Sequence, residues 1–390
     1  MPRSDVPPAV ERGAAAAPAL SGPAPAVGPA LEPRLYLEPE IVELEQRAIF
    51  ERTWQLAGHV GDLAEPGSYL TTNVGDQPVL VVRDQDGELR AFRNVCRHRG
   101  SRLLKGSGSC GRAIRCLYHG WTYRLDGTLI GVPEHRDIEG LDKARLGLHQ
   151  IRAEEFCGLV FVNLDPGARP LHEMLGGLAE RLAAYRLPEL ERFGAGSAGD
   201  AQPANWKVVV ENYVEGYHIP IAHPSLMRML DYQRYDVEVH EHWVWFEAPM
   251  RDKPSDNRLE RAYRRLATPM PGLARADRDV WRYVFIYPNT TIDLYPDQVN
   301  TWRLWPDGPE RTLDEWGAFR SRGAPARSRV AQRLNNWLNT QVLKEDVDLV
   351  DNVQRGLRTR GYHPGPLARR EAAVGWFAER IRADLERAVG

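Results

Sequence analysis

The chain has 390 residues, 43% of them hydrophobic and 27% charged, which is enough to build two ordinary domains. A net charge of −2 removes any electrostatic case for nucleic acid or an anionic membrane as partner. No apolar run approaches the roughly 18 residues that a spanning helix needs. Residues 1–34 are rich in Ala and Pro and poor in large apolar groups, so a disordered tail is predicted there. Glu11 and Arg12 interrupt any apolar core and Pro18 breaks the Ala run, which argues against a signal peptide. A cytoplasmic location is the expectation, and four cysteines fit a reducing compartment.

Pro39 is placed to open a helix in which Ile41, Leu44 and Ala48 share a face. After Trp54 the pattern changes to short β-rich runs with Asp-Gly turns, from YLTTNV to LRAFRNVC. Further strands are expected at AIRCLY, WTYRLDGTLIGV and CGLVFVNL. Together these define a small β domain over 54–165. Residues 166–200 read as helical, then Gly-rich. HWVWFEAP and VWRYVFIYPNTTIDLY then alternate with period 2, with Trp281, Tyr283, Phe285 and Tyr287 on one face. Long helices are predicted over about 327–358 and about 367–388, the second with Val374, Phe377, Ile381 and Leu385 facing inward. The whole is an α+β chain without internal repeats.

Cys96 and His98, then Cys116 and His119, form the pattern Cys-x-His, 17 residues (99–115), Cys-x2-His. Each half offers one thiolate and one imidazole. A zinc finger usually keeps its Cys pair and its His pair in separate halves. The interleaved layout suits a Rieske [2Fe-2S] cluster, with two Cys on one iron and two His on the other. A structural zinc site is the alternative reading. Cys110 and Cys157 lie outside both boxes.

NVCRHRGSRL and CLYHGWTYRLDG resemble the two cluster boxes of the ring-hydroxylating Rieske non-heme iron oxygenases, alpha-subunit family. Leu117 stands where that family commonly has Pro. The resemblance runs from about residue 35 onward. It implies a Rieske β domain at 54–165 and a helix-grip catalytic domain from 36–53 and 166–390, with helices gripping an antiparallel sheet.

A reaction centre is sought in NWKVVVENYVEGYHIPIAHP. Glu215 and His218 stand three apart and are expected to share a helix face. Pro220 is expected to end that helix, letting His223 swing back from the turn. A pair of His alone is often structural, but the segment resembles the family's mononuclear-iron box, where two His and one carboxylate bind Fe(II) and leave room for O2. For the carboxylate, LKEDVDLVDNVQRG offers Glu345, Asp346, Asp348 and Asp351. Leu338, Val342, Leu349, Val353 and Leu357 form an apolar stripe whose empty slot is Asp346, whereas Asp348 falls on the polar side. A carboxylate on a buried stripe needs a cation, either a metal or a nearby Arg. The family's third ligand lies in this helix too, and both lines favour Asp346. Asn212 is read as a surface or capping residue rather than as lining the iron.

The resemblance makes Glu215 the catalytic bridge, hydrogen-bonding His218 and, across a subunit boundary, a cluster His equivalent to His119. That implies a homo-oligomer, usually a trimer. The chain has no GxGxxG fingerprint and no ferredoxin-type Cys spacing, so NAD(P)H electrons are expected from a separate reductase, alone or with a ferredoxin. The rivals are a Rieske electron carrier with a non-catalytic second domain and a zinc-stabilised binding module. Family members act on aromatic rings or on aliphatic amines. Hydroxylation of a small aromatic-type substrate is the first expectation. The alternative is a monooxygenase or N-demethylase of a betaine-, choline- or carnitine-like compound, toward which Glu215 leans because most members carry Asp there.

Overall fold

The computed structural model describes residues 28–197 and 201–389. The expected disordered tail lies outside the described residues as far as 27. From 28 to 34 the chain departs from that expectation. Leu31 is buried, the Arg382 guanidinium donates to the carbonyls of Pro29 and Ala30 at 3.2 and 2.7 Å, and a short helix begins at Arg34. The partner that holds this segment lies some 350 residues away, so local composition carries no sign of it. Pro39–Glu45 forms the expected helix and continues as a π-helical turn, Gln46–Phe50.

The first half is a seven-stranded antiparallel sheet. In spatial order its strands are Gln55–His59, Leu159–Asn163, Gln150–Phe156, Leu89–Arg93, Gln77–Arg83, Ser68–Val74 and Ser107–Ser109. A three-stranded sheet, Ala113–Arg115, Thr122–Arg124 and Leu129–Gly131, lies beside it. The strand Gln77–Arg83 shows why both faces are dry. Leu80 and Val82 enter a small core with Phe92, Ile114 and Tyr123, while Val79 and Val81 point the other way into the main core. That main core also holds Trp206, Phe246 and Phe377, so the two halves of the chain share one apolar interior.

The second half is a seven-stranded antiparallel sheet ordered Leu190–Ser197, Thr312–Ser321, Val299–Pro306, Thr290–Leu294, Val280–Ile286, Trp243–Pro249 and Asp236–Val239. Phe285 and Tyr287 meet Phe377 of the helix Ala372–Val389 at ring-centroid distances of 6.0 and 6.1 Å. Trp243 and Trp245 do not join that face. They pack on the opposite side of the sheet with Val284 and Ile286, under the Arg181 guanidinium at 5.7 and 5.0 Å. Residues 166–200 open with the expected helices, Leu171–Met174 and Leu178–Leu182, and the Gly-rich part that follows falls in the strand Leu190–Ser197. Its glycines admit a tryptophan: a Cβ on Gly194 would stand 3.0 Å from the Trp316 ring.

The helix Trp206–Tyr213 is capped by the Asn205 side chain, which accepts from the Lys207 N–H at 3.0 Å. Lys207 and Glu45 are both fully buried and pair at 2.6 Å, and the Trp206 indole N–H donates to the second Glu45 oxygen at 2.8 Å. Removing one partner of such a pair costs about 3–5 kcal/mol, so it pins this helix to the one at 39–45. The helix Ala326–Leu357 crosses it. Its inward side runs through Leu338, Val350, Gln354 and Leu357, not through Leu349 and Val353; Val353 is exposed. Buried Gln354 displaced the expected stripe, because its side-chain oxygen accepts the Asn205 N–H at 2.9 Å.

Candidate metal centres and active site

The two cluster loops are the same hairpin built twice. In the first, the Cys96 N–H donates to the Ser101 carbonyl and Gly100 donates back to Cys96, at 2.8 and 3.1 Å. In the second, Cys116 donates to Trp121 and Gly120 donates back to Cys116, at 2.8 and 3.0 Å. Each loop turns on a glycine with φ +71, four residues after its cysteine. Both cysteines are buried, while His98 is exposed and His119 partly so. The two imidazoles meet at a centroid distance of 4.7 Å, and His98 stacks on Trp121 at 4.8 Å. The Tyr123 hydroxyl lies 3.3 Å from the Cys96 sulfur and accepts the Arg97 N–H. Burial pushes the Cys96 thiol up. Burial acts the same way on Cys116, but donors that include the Tyr118 and His119 N–H groups outweigh it and bring that thiol down. A thiolate pair inside and an imidazole pair at the rim fit a cluster whose His-bound iron faces outward.

The second centre forms where three elements meet. Ligand atoms of His218, His223 and Asp346 lie within 4.8 Å of one another. The two Nε2 atoms are 3.0 Å apart, and Asp346 Oδ1 stands 3.7 Å from the first and 3.0 Å from the second. Each imidazole is held from behind by a carboxylate. Glu215 bonds His218 Nδ1, and Glu345 bonds His223 Nδ1 at 2.8 Å. These contacts occupy both Nδ1 atoms and turn both Nε2 atoms toward Asp346, as a shared metal would require. Burial lowers the pKa of His223, but Asp346 and Glu345 more than reverse this, so its pKa is raised. Two His and one carboxylate on one side, with a cavity on the other, can hold Fe(II) with open positions.

The local backbone differs from expectation. Glu215 and His218 lie in the break after Tyr213, not on one helix face. Pro220 opens the short helix Ile219–Ala222 and Pro224 opens the next, Pro224–Met229. A proline is cheap in a first turn, where its missing N–H would have no partner. Glu215 accepts the N–H groups of Tyr217 and His218, which fixes it at that helix start. Asn212 is no surface cap: it donates to Asp346 Oδ1 at 2.8 Å. Asp348 is exposed, as its phase predicts. Glu345 orients His223, a role that only its place directly before Asp346 hints at in the sequence.

A cavity of about 180 Å³ opens beside the triad. Tyr213, Tyr235, Tyr283, Tyr295 and Trp302 line it, with Asp293 and Asp314 among them. Tyr213 and Tyr283 meet edge to face at 6.5 Å, and so do Tyr283 and Tyr295 at 6.2 Å. Asp293 accepts the Tyr213 hydroxyl at 2.8 Å and the Trp302 indole N–H at 3.2 Å. Burial pushes its carboxyl up to about 6 against those donors. Of the expected aromatic face, only Tyr283 reaches the cavity; Trp281, Phe285 and Tyr287 are core.

A Rieske β domain joined to a helix-gripped sheet with a two-His, one-carboxylate cluster defines a non-heme iron oxygenase. The family models agree: the Rieske [2Fe-2S] domain matches residues 53–143, and the ring hydroxylating alpha subunit (catalytic domain) matches residues 185–387. The chain belongs to the ring-hydroxylating alpha-subunit family of Rieske oxygenases, whose members carry a [2Fe-2S] cluster and a mononuclear iron. It is 31% identical to the carnitine monooxygenase oxygenase subunit of Acinetobacter baumannii over 331 residues, 84% of this chain and 85% of that one. It is 32% identical to the chloroplastic choline monooxygenase of Beta vulgaris over 348 residues, 85% of this chain and 71% of that one. The solved quaternary ammonium Rieske monooxygenase CntA in complex with L-carnitine superposes with a TM-score of 0.77 at 28% identity, covering 92% of this chain and 96% of that one. Among the described residues no helix is long and apolar enough to cross a membrane.

Proposed function

We propose that this chain is the oxygenase component of a multicomponent system that oxidises a quaternary ammonium compound with O2 and with NAD(P)H electrons delivered by a separate reductase. The observation that carries the substrate class is the cage of Tyr213, Tyr235, Tyr283, Tyr295 and Trp302 around Asp293, next to the His218–His223–Asp346 triad. A trimethylammonium group has no N–H to donate. It is recognised by aromatic faces, at about 0.5–2 kcal/mol per ring, and by negative charge. An aromatic acid would gain stacking but meet two carboxylates. The expectation of an aromatic-type substrate therefore gives way to its alternative, in line with the carnitine and choline relatives.

In this reading Cys96, His98, Cys116 and His119 hold the cluster, and His218, His223 and Asp346 hold the iron. When bound, these groups supply electron transfer and O2 activation. The chain's own residues orient them: Glu215 and Glu345 fix the imidazoles, Asn212 fixes Asp346, and the cage holds the substrate cation against the triad. The assembly we infer is a homotrimer in which Glu215 bridges His218 to His119 of the partner subunit. Supporting this, apolar side chains are left bare at both centres: Leu117 is 90% exposed beside the cluster and Ile221 is 90% exposed beside the triad. Iron and acid-labile sulfide content, followed by NADH-linked O2 uptake with a surrogate reductase, tests the whole reading. Coupled product from trimethylammonium compounds supports it. Zinc in place of iron and sulfide, or tight coupling on benzoate-like acids alone, overturns it.

A further inference from the structure

The charge of the cavity is one-sided. Asp293 and Asp314 face it, and among the described residues that line it none is Lys or Arg. Its two imidazoles are already turned to Asp346. Asp314 is 1% exposed; its Oδ2 accepts the Gln202 amide at 2.7 Å, and its Oδ1 has no partner. The hydroxyl of buried Thr291, also in the lining, has no hydrogen-bond partner either. Burial raises the Asp314 carboxyl to about 6, the mark of a carboxylate without a cation at hand. Arg370 lies over the Tyr232 ring at 4.6 Å, and neither residue belongs to the lining.

Asp346 and Glu215, also in the lining, would balance the charge of an Fe(II) held by the triad, so Asp293 and Asp314, with no basic counterpart, favour a net cation and oppose any anionic group brought in with it. Specificity of this kind comes from repulsion of the wrong ligand as much as from attraction of the right one. Resting on the quaternary ammonium reading, we propose that the cavity selects quaternary ammonium cations without a carboxylate, of the amino-alcohol type, over zwitterions such as glycine betaine and carnitine. Asp314 supplies negative charge on the side of the substrate hydroxyl, and Asp293 with its surrounding rings faces the ammonium head.

The test compares choline, glycine betaine and L-carnitine on the full chain loaded with iron and cluster, by kcat/KM for coupled product and by ligand-induced thermal shift. Choline is expected to exceed both zwitterions by about tenfold or more, the equivalent of one unfavourable charge contact. Asp314→Asn keeps the Gln202 contact and the shape, and should narrow that ratio toward one. A wild-type preference for either zwitterion overturns the selection, and its loss in Arg370→Ala would locate the carboxylate partner instead. An unchanged ratio in both Asp314→Asn and Asp293→Asn overturns it as well. Turnover of benzoate-like acids with no response to any ammonium compound sinks this inference together with the reading beneath it.

Discussion

The two candidate metal centres are built by opposite means. The cluster loops are local: Cys96 to His119 spans 24 residues (96–119), and each loop is closed by its own backbone and its own glycine. The triad is remote: His218 and His223 come from one broken helical segment, and Asp346 from a helix more than 120 residues later. In the first region the hairpin itself aims the ligands. In the second, carboxylates from separate elements aim them, Glu215 on one side and Glu345 on the other. A local site is therefore robust to distant change, whereas an assembled site depends on every element that brings it together.

The sharpest break of that comparison is Asp346→Ala. It should reduce turnover to background and lose the mononuclear iron while the cluster absorbance stays intact, because two imidazoles alone hold Fe(II) poorly. Exposed Asp348→Ala should remain within about twofold of wild type in kcat/KM, since surface changes away from a site cost little. An Asp346→Ala protein that keeps its iron would show that the triad is not the metal site.

Next in size is Glu215→Gln, which keeps the shape and removes the charge behind His218. Product formation should fall about 100-fold or more with iron retained and the cluster still reducible, as expected for a lost orienting carboxylate. Full activity would mean that electrons reach the iron without this residue. A related experiment mixes His119→Ala with His218→Ala protein: partial activity appears only if transfer crosses subunits, and none appears if each chain works alone.

Glu345→Gln should act more mildly. Iron affinity should drop about 10–100-fold, with activity restored by added Fe(II), since the side chain orients His223 without being a ligand. Loss of activity at saturating iron would assign Glu345 a different role.

The smallest effect is expected at a loop glycine. Gly100 has open space around it, so Gly100→Ala tests backbone conformation alone. A left-handed residue costs roughly 1–2 kcal/mol for a side chain with a Cβ. A fall in cluster-region stability of that size, with iron binding at the triad unchanged, would sharpen the contrast. Simultaneous loss of both metals would merge the two regions into one cooperative unit.

Much of this protein was readable before its fold was known. Cys96, His98, Cys116 and His119 were legible as one site because their geometry is written in spacings of two, three and four residues. The hairpin strands from 68 to 93 and the inner face of the last helix were legible too, since period 2 and period 3.6 are properties of the local chain. Asp346 emerged from helical phase, although buried Gln354 shows that the phase was misassigned lower down. Other features depended on partners far apart in the chain. Pro29 and Ala30 are held by Arg382 of the final helix, Trp316 lies on Gly194 and Gly196, Asn212 reaches Asp346, and Glu345 backs His223. The cavity beside the triad belongs to this group. Tyr213 sits on a helix, Tyr283, Asp293, Trp302 and Asp314 sit on four adjacent strands, and only the pairing of those strands and the packing of the helix bring rings and carboxylates into one space. The candidate ligands were legible from residue type at short spacing, whereas the charge and shape of the cavity arise only when remote side chains share a surface.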